Sequence, residues 1–337
     1  MKHHKNKTKL RLKPQAKRIL IILVLFIIGS IFLYNKYQDY LYTKTSDYAI
    51  LNLGYTEEEL KIINSKLTED EKWNIINDIG KNEFLINFIK CKYYLFKNTK
   101  NYLSLTVKKE DDFWHYKDPS YYDYDKLVAS VNSRTYTDYY TDSIKTDMSK
   151  GYLILANKYH YLDEDYTPDD LVDVPWKYRF GGANDKITIR SEVMDSFLEM
   201  WNAANEKGYY LLVDSGFRSY DEQKSVYDDY SKRFGLSYAD SIAARPGYSE
   251  HQTGLALDIY SKQNASAKTF ATTDVYKWLI DNSYKYGFIL RYPEGKSNLT
   301  GYNFESWHYR YVGKSEAKKI VDSGLTFDEY YEFYLDK

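Results

Sequence analysis

Hydrophobic and polar positions divide the chain into three stretches of different texture. The first is an apolar run over residues 19–34 (ILIILVLFIIGSIFLY), interrupted only by Gly29 and Ser30. A membrane span takes roughly 17–25 such residues, and Tyr34 with the flanking lysines can occupy the interfacial layers, so the run reads as a transmembrane helix. The second stretch, 56–95, repeats apolar residues at helical spacing: Leu60, Ile63 and Leu67, then Trp73, Ile76 and Ile79, then the apolar residues between 84 and 95. Thr56 with Glu59, and Thr68 with Glu71, carry the reciprocal capping pattern and predict two helix starts. The third stretch opens near Gly151 and mixes both periods. Strands are predicted over 152–157, 209–213, 288–292 and 307–312, and Leu255, Leu257 and Ile259 alternate as a strand would. Helices are predicted from Val193, Met194, Phe197, Trp201 and Ala204, from the Ser219/Glu222 cap, and over 276–286, 315–321 and 327–334. Residues 106–147, with Asp111, Asp112, Asp118, Asp123 and Asp125 among many tyrosines, show no period and read as an irregular lead-in.

Charge orients this arrangement. Residues 1–37 hold nine Lys/Arg and no acid, and eight of those bases precede the apolar run. Such asymmetry predicts a cytoplasmic N-terminus and everything beyond residue 35 outside the cell. The residues after Tyr34 (Asn-Lys-Tyr-Gln-Asp) offer no A-x-A-like cleavage site, which favours an uncleaved anchor over a signal peptide. The expected organisation is a basic cytoplasmic tail (1–18), a transmembrane anchor (19–34), an extracellular helical stalk (35–149) and a mixed domain (150–337). Beyond residue 37, the remaining 38 bases face 48 acids, so the chain lacks the broad basic face of a nucleic-acid binder. A single cysteine, Cys91, excludes a disulfide scaffold, a Cys-rich zinc module and an iron–sulfur protein, and its Ile-Lys-Cys-Lys-Tyr context, with no histidine nearby, predicts a buried structural thiol.

Of six histidines, His251 and His308 sit where chemistry can be assembled. The segment Ser249-Glu-His251-Gln-Thr-Gly254-Leu-Ala256-Leu-Asp258 places an imidazole and a carboxylate either side of a glycine bend, with Asp258 on the strand face opposite Leu257. A second segment, Glu305-Ser306-Trp307-His308, adds a carboxylate and an imidazole at a strand entrance. Two imidazoles and one carboxylate are a common catalytic zinc set, which leaves the fourth position for water and a further carboxylate free to take its proton. The same four groups also suit a structural hydrogen-bond network. The H-E-x-x-H helix of many metalloproteases is absent, the S-x-x-K string at Ser315–Lys318 has no K-T-G beside it, and Ser249 lacks the second glycine of G-x-S-x-G. In a third segment, 213–223, a strand, a glycine turn and a capped helix set Arg218 at a strand's end, where a guanidinium can meet a carboxylate or an oxyanion, or simply a neighbouring acid.

Taken together, these segments resemble the zinc-dependent D-alanyl-D-alanine carboxypeptidases of the VanY type and their L,D-carboxypeptidase relatives. The pattern S-x-H-x-x-G-x-A-x-D is met at Ser249, His251, Gly254, Ala256 and Asp258, E-x-x-H at Glu305 and His308, and S-G-Y/F-R-S at Ser215–Ser219. Residues 286–293 and 300–302 also look like this family, whereas Ser306 stands where many relatives have proline. The resemblance implies an α+β fold shared with lysostaphin-like and hedgehog-like zinc domains: a small antiparallel sheet with flanking helices, here preceded by a transmembrane helix and a helical stalk. It further implies zinc held by His251, Asp258 and His308, Glu305 as general base, Arg218 at the oxyanion or the substrate's terminal carboxylate, and Gln223 and Ser249 as peptide contacts. The implied activity is removal of the terminal D-alanine from peptidoglycan stem peptides. An L,D-carboxypeptidase acting on tetrapeptide stems, and a wall-binding or sensor protein without activity, are the alternatives.

Overall fold

The computed structural model describes residues 13–106, 122–180, 186–263 and 266–336, so Asp111, Asp112 and Asp118 of the expected lead-in lie outside the described residues. Contacts divide these into two units, residues 13–90 and residues from 91 onward.

In the first unit the apolar run forms one 29-residue helix, Pro14–Tyr42, with proline in its opening turn and no buried residue. Its leucines, isoleucines and phenylalanines are exposed, and its length and composition fit a membrane anchor or a signal sequence. Helices Glu57–Lys66 and Glu69–Asn74 begin as the sequence predicts. Thr56 and Thr68 each accept from the amide three residues on, while Glu59 and Glu71 accept from the threonine amides. Leu60 and Ile63 face inward. Trp73, expected inward, is exposed, and Ile75 is buried instead. The helix passes into a wider π turn at Ile75–Ile79, which rotates the apolar face by a residue.

The second unit is built on a four-stranded antiparallel sheet. Among the described residues of this unit there are eight short strands: β1 (Ile144–Lys145), β2 (His160–Tyr161), β3 (Leu171–Asp173), β4 (Thr188–Arg190), β5 (Leu211–Ser215), β6 (Ala256–Ser261), β7 (Phe288–Leu290) and β8 (His308–Tyr311). The sheet runs β5-β6-β8-β7, while β1 pairs with β2 and β3 with β4. This is the expected α+β architecture. Helix Ser191–Asn205 presents Val193, Met194, Phe197 and Met200 to one sheet face, where Leu211, Val213, Leu257 and Ile259 are fully buried. Alternation along β6 therefore turns Asp258 to the other face.

Two expectations fail here for identifiable reasons. Residues 152–157 form no strand: a 3₁₀ segment, Met148–Leu153, is broken at Gly151 (φ 59°), and the following backbone is irregular. Its carbonyls are satisfied by side chains rather than by a ladder, since Arg310 donates to Tyr152 O and Ile154 O and Thr146 Oγ1 donates to Leu155 O. Conversely, the lead-in contains a helix, Tyr124–Asn132, capped by Asp123 and burying Val128 and Val131. Its buried stripe is too narrow to show as a period. Cys91 is buried, and burial pushes its thiol up to about 12, as suits a structural residue.

Candidate active site

Sheet register brings the metal-ligating residue types together. Asp258 on β6 lies directly opposite His308 on β8 and next to Ser215 on β5. His251 reaches the same place from a single 3₁₀ turn, Glu250–Thr253, whose entrance is capped by Ser249 Oγ. Gly254 closes that turn in the left-handed region (φ 66°), and a Cβ there would press on Arg190 and Leu171.

The geometry specifies which atoms converge. His251 Nδ1 lies 2.7 Å from Gly216 O, so this nitrogen carries the proton and leaves Nε2 to face Asp258 Oδ2 at 3.5 Å. His308 Nδ1 is 3.1 Å from Asp258 Oδ1 and 3.7 Å from Glu305 Oε2. The two imidazole rings stand edge to face at 5.0 Å. One donor atom from each of His251, Asp258 and His308 lies within 4.8 Å of the others. Two imidazoles and a carboxylate at this spacing suit a tetrahedral divalent cation with one position left open.

Electrostatics agree with that use. Burial pushes the His251 imidazole down to about 3, which keeps it in the neutral, ligating form. Burial works against ionising Asp258, but His251 and His308 outweigh it and hold the carboxyl below its ordinary value. Burial also opposes charging His308, yet the carboxylates of Asp258 and Glu250 beside it prevail and raise it to about 9. A cation must therefore displace a proton from this ring. Glu305 sits in the turn ahead of β8, its amide bonded to Tyr292 O. Burial, with Asp258 nearby, raises its carboxyl to about 7 against the pull of His308.

The remaining expected residues line the same cavity. Arg218 follows β5, and its guanidinium is held rather than free: Nη1 donates to Gln223 Oε1 (2.8 Å) and Nη2 to Ser215 Oγ (2.9 Å). Gln223 is buried, and its amide nitrogen donates to Ala244 O, so both ends of its side chain have protein partners. Ser249 is buried with its hydroxyl accepting from the His251 amide. Ser306 is buried within the Glu305–His308 turn.

Beneath the cavity floor lies a group of charges that the sequence reading missed. Glu250 Oε1 accepts from Arg291 Nε (2.7 Å) and Arg310 Nη1 (2.9 Å), and Arg291 also pairs with Asp328 (2.6 Å), all of them buried. A signal for it exists in the two arginines that interrupt otherwise apolar and aromatic strand sequences, Phe-Ile-Leu-Arg291-Tyr and His-Tyr-Arg310-Tyr.

Known proteins share these features. The profile of a family described as D-alanyl-D-alanine carboxypeptidase (VanY) matches residues 186–314, a span that holds every expected site residue. YodJ of Bacillus subtilis (strain 168) is 43% identical over 204 residues, which is 58% of this chain and 75% of YodJ. A D-alanyl-D-alanine carboxypeptidase of Enterococcus faecalis (strain ATCC 700802 / V583) is 36% identical over 193 residues, or 55% of this chain and 67% of that one. Among solved structures, the LdcB LD-carboxypeptidase aligns with a TM-score of 0.54 at 42% identity, covering 57% of this chain and 91% of its own. The chain belongs to the VanY family of D-alanyl-D-alanine carboxypeptidases.

Proposed function

We propose that this protein is a zinc-dependent D-alanyl-D-alanine carboxypeptidase that trims the terminal D-alanine from peptidoglycan stem peptides. One observation carries the reading: His251 Nε2, the Asp258 carboxylate and His308 Nδ1 converge, with the Glu305 carboxylate alongside them. These three residues would hold zinc, which would supply a water of lowered pKa, about 7, and polarise the scissile carbonyl. Glu305 Oε2 takes the proton of the attacking water and delivers it to the amide nitrogen of the leaving D-alanine. Without the cation, burial raises this carboxyl to about 7 against the pull of His308. Arg218, aimed by Gln223 and Ser215, offers its remaining N–H groups to the substrate's terminal carboxylate or to the developing oxyanion. Ser249 and Gln223 contribute by holding His251 and Arg218 in place, which leaves peptide contact as their secondary role.

The charge pattern around helix Pro14–Tyr42 supports an anchored protein whose second unit faces outward, where its substrate is found. A second reading, cleavage of the L,D bond of tetrapeptide stems, is favoured by the likeness to LdcB. The deciding experiment incubates the zinc-loaded protein with pentapeptide and tetrapeptide stems and follows both by mass spectrometry. Loss of one alanine from the pentapeptide, abolished by a chelator and restored by zinc, is expected. Release from the tetrapeptide alone would replace the D,D reading with the L,D one, and release from neither would end both.

A further inference from the structure

Glu250 is fully buried, and its two carboxylate oxygens lead different lives. Oε1 is claimed by Arg291 and Arg310. Oε2 has no hydrogen-bond partner within ordinary limits among the described residues, and neither has His308 Nε2, although the two atoms face each other at 3.5 Å. A buried acceptor and a buried ring nitrogen that meet nothing else need each other. We propose that Glu250 is a positioning residue for the third metal ligand: its Oε2 holds the proton of His308 on Nε2, so that the ring presents Nδ1 to the metal. The inference rests on the zinc reading above and concerns which nitrogen serves it.

The arrangement explains why the carboxylate is locked so firmly. Glu250 and Asp328 balance Arg291 and Arg310, two charges of each sign in a space closed to water. Arg310 is fixed further by the carbonyls of Tyr152 and Ile154, and Asp328 by the Asn157 amide. Glu250 therefore stays anionic and cannot turn away, and an anion there accepts a hydrogen bond but cannot donate one. The opposite tautomer, with the proton on Nδ1, would set the bare Nε2 lone pair against that carboxylate and block the metal. The rings of Tyr292 (4.9 Å) and His251 (5.0 Å) limit rotation of the imidazole. This is the carboxylate–histidine–metal relay that fixes tautomer and ring orientation in metalloproteins.

The test uses the full chain in detergent, labelled with ¹⁵N at histidine, and His308→Gln to assign the signals. In the zinc-loaded wild type, long-range ¹H–¹⁵N spectra are expected to show His308 protonated on Nε2, with a slowly exchanging imidazole proton. A proton on Nδ1 overturns the proposal, and this measurement needs no altered fold. Zinc dissociation constants, measured by competition with a chromogenic chelator, are then compared for Glu250→Asp and Glu250→Gln. Glu250→Asp keeps a charge for the two arginines but falls one methylene short of His308. Glu250→Gln can turn its amide N–H toward Nε2 and favour the wrong tautomer. Each is expected to bind zinc roughly 10–100-fold more weakly, with the His308 proton exchanging fast. Variants that fold, as judged by circular dichroism, and bind zinc as the wild type does overturn the proposal. A wild type that binds zinc but releases no D-alanine overturns the carboxypeptidase reading and leaves the zinc comparison of Glu250 intact.

Discussion

At Glu305 burial and charge pull in opposite directions, and burial prevails, which gives a carboxyl able to exchange protons near neutrality. The histidine atom it faces, His308 Nδ1, is 3.7 Å away, beyond hydrogen-bond distance. Glu305→Gln should therefore keep zinc while turnover falls on the order of 10²–10⁴-fold, the usual worth of a positioned proton carrier. Metal content beside D-alanine release checks this, and His308→Ala should lose both. Undiminished turnover in Glu305→Gln would transfer the base role elsewhere. A different residue-scale consequence arises at Lys158, which is buried, donates to Asp240 O, and lies under the rings of Tyr139 and Tyr302. Burial pushes its ammonium down to about 8. Between about pH 8 and about pH 10.4 the unfolded chain holds a proton that the folded one does not, so stability rises with pH across that window. Denaturant unfolding of wild type and Lys158→Met at pH 7.5 and 9.5 should show the wild type gaining relative to the variant at the higher pH. A constant difference would mean that Lys158 does not titrate there.

The elements show why so much of the site could be read from the chain. Ser249 to Asp258 is one turn and one strand, and Glu305 to His308 is one turn and one strand entrance, so spacing alone fixes which side chains emerge together. The caps of helices Glu57–Lys66, Glu69–Asn74 and Tyr220–Phe234 were legible for the same reason, being contacts across three residues. Illegible features depend on distant partners. The backbone at 152–157 reads as a strand until Arg310 is seen to occupy its carbonyls, and the surroundings of Glu250 depend on Arg291, which arrives from the end of β7, and Arg310, which arrives from β8. Gly216 is an intermediate case, because the sequence marks a turn but not how closely β4 passes over it. A Cβ there would fall 2.4 Å from Thr188 O and 2.6 Å from Ile189 Cγ2. Gly216→Ala should thus push the turn off β4, taking with it the carbonyl that orients His251 and the base of Arg218. A loss of about 1–3 kcal/mol in stability is expected from overpacking, together with weaker zinc binding. Calorimetry with and without zinc measures both, and an unchanged variant would mean that this turn has slack the contacts do not suggest.

For the molecule as a whole, the residues matched by the family profile end at 314, yet Asp328 lies beyond that span and completes the buried charge group under the site. The chain after β8 is therefore part of the machinery's foundation. Removing one member of a buried pair leaves an uncompensated charge and costs about 3–5 kcal/mol. Asp328→Ala should lower thermal stability accordingly, and Asp328→Ala with Arg291→Met should recover part of it by removing the stranded guanidinium. Additive losses in the double variant would show that the two residues do not act as a pair. The other end of the chain raises a question of placement. The helix Pro14–Tyr42 exposes its whole apolar surface, and eight basic residues precede its apolar core while no acid does. An anchor so flanked keeps the bases inside and sends the acidic remainder, 38 bases against 48 acids, across the membrane. A signal peptide would give the same orientation in transit but release the remainder. Protease applied to intact cells distinguishes them: an anchored chain should lose its second unit to the enzyme and leave in the membrane fraction a short basic fragment detectable through a tag placed ahead of residue 13. Recovery of the activity in the medium, on a chain starting beyond the apolar run, would establish cleavage instead.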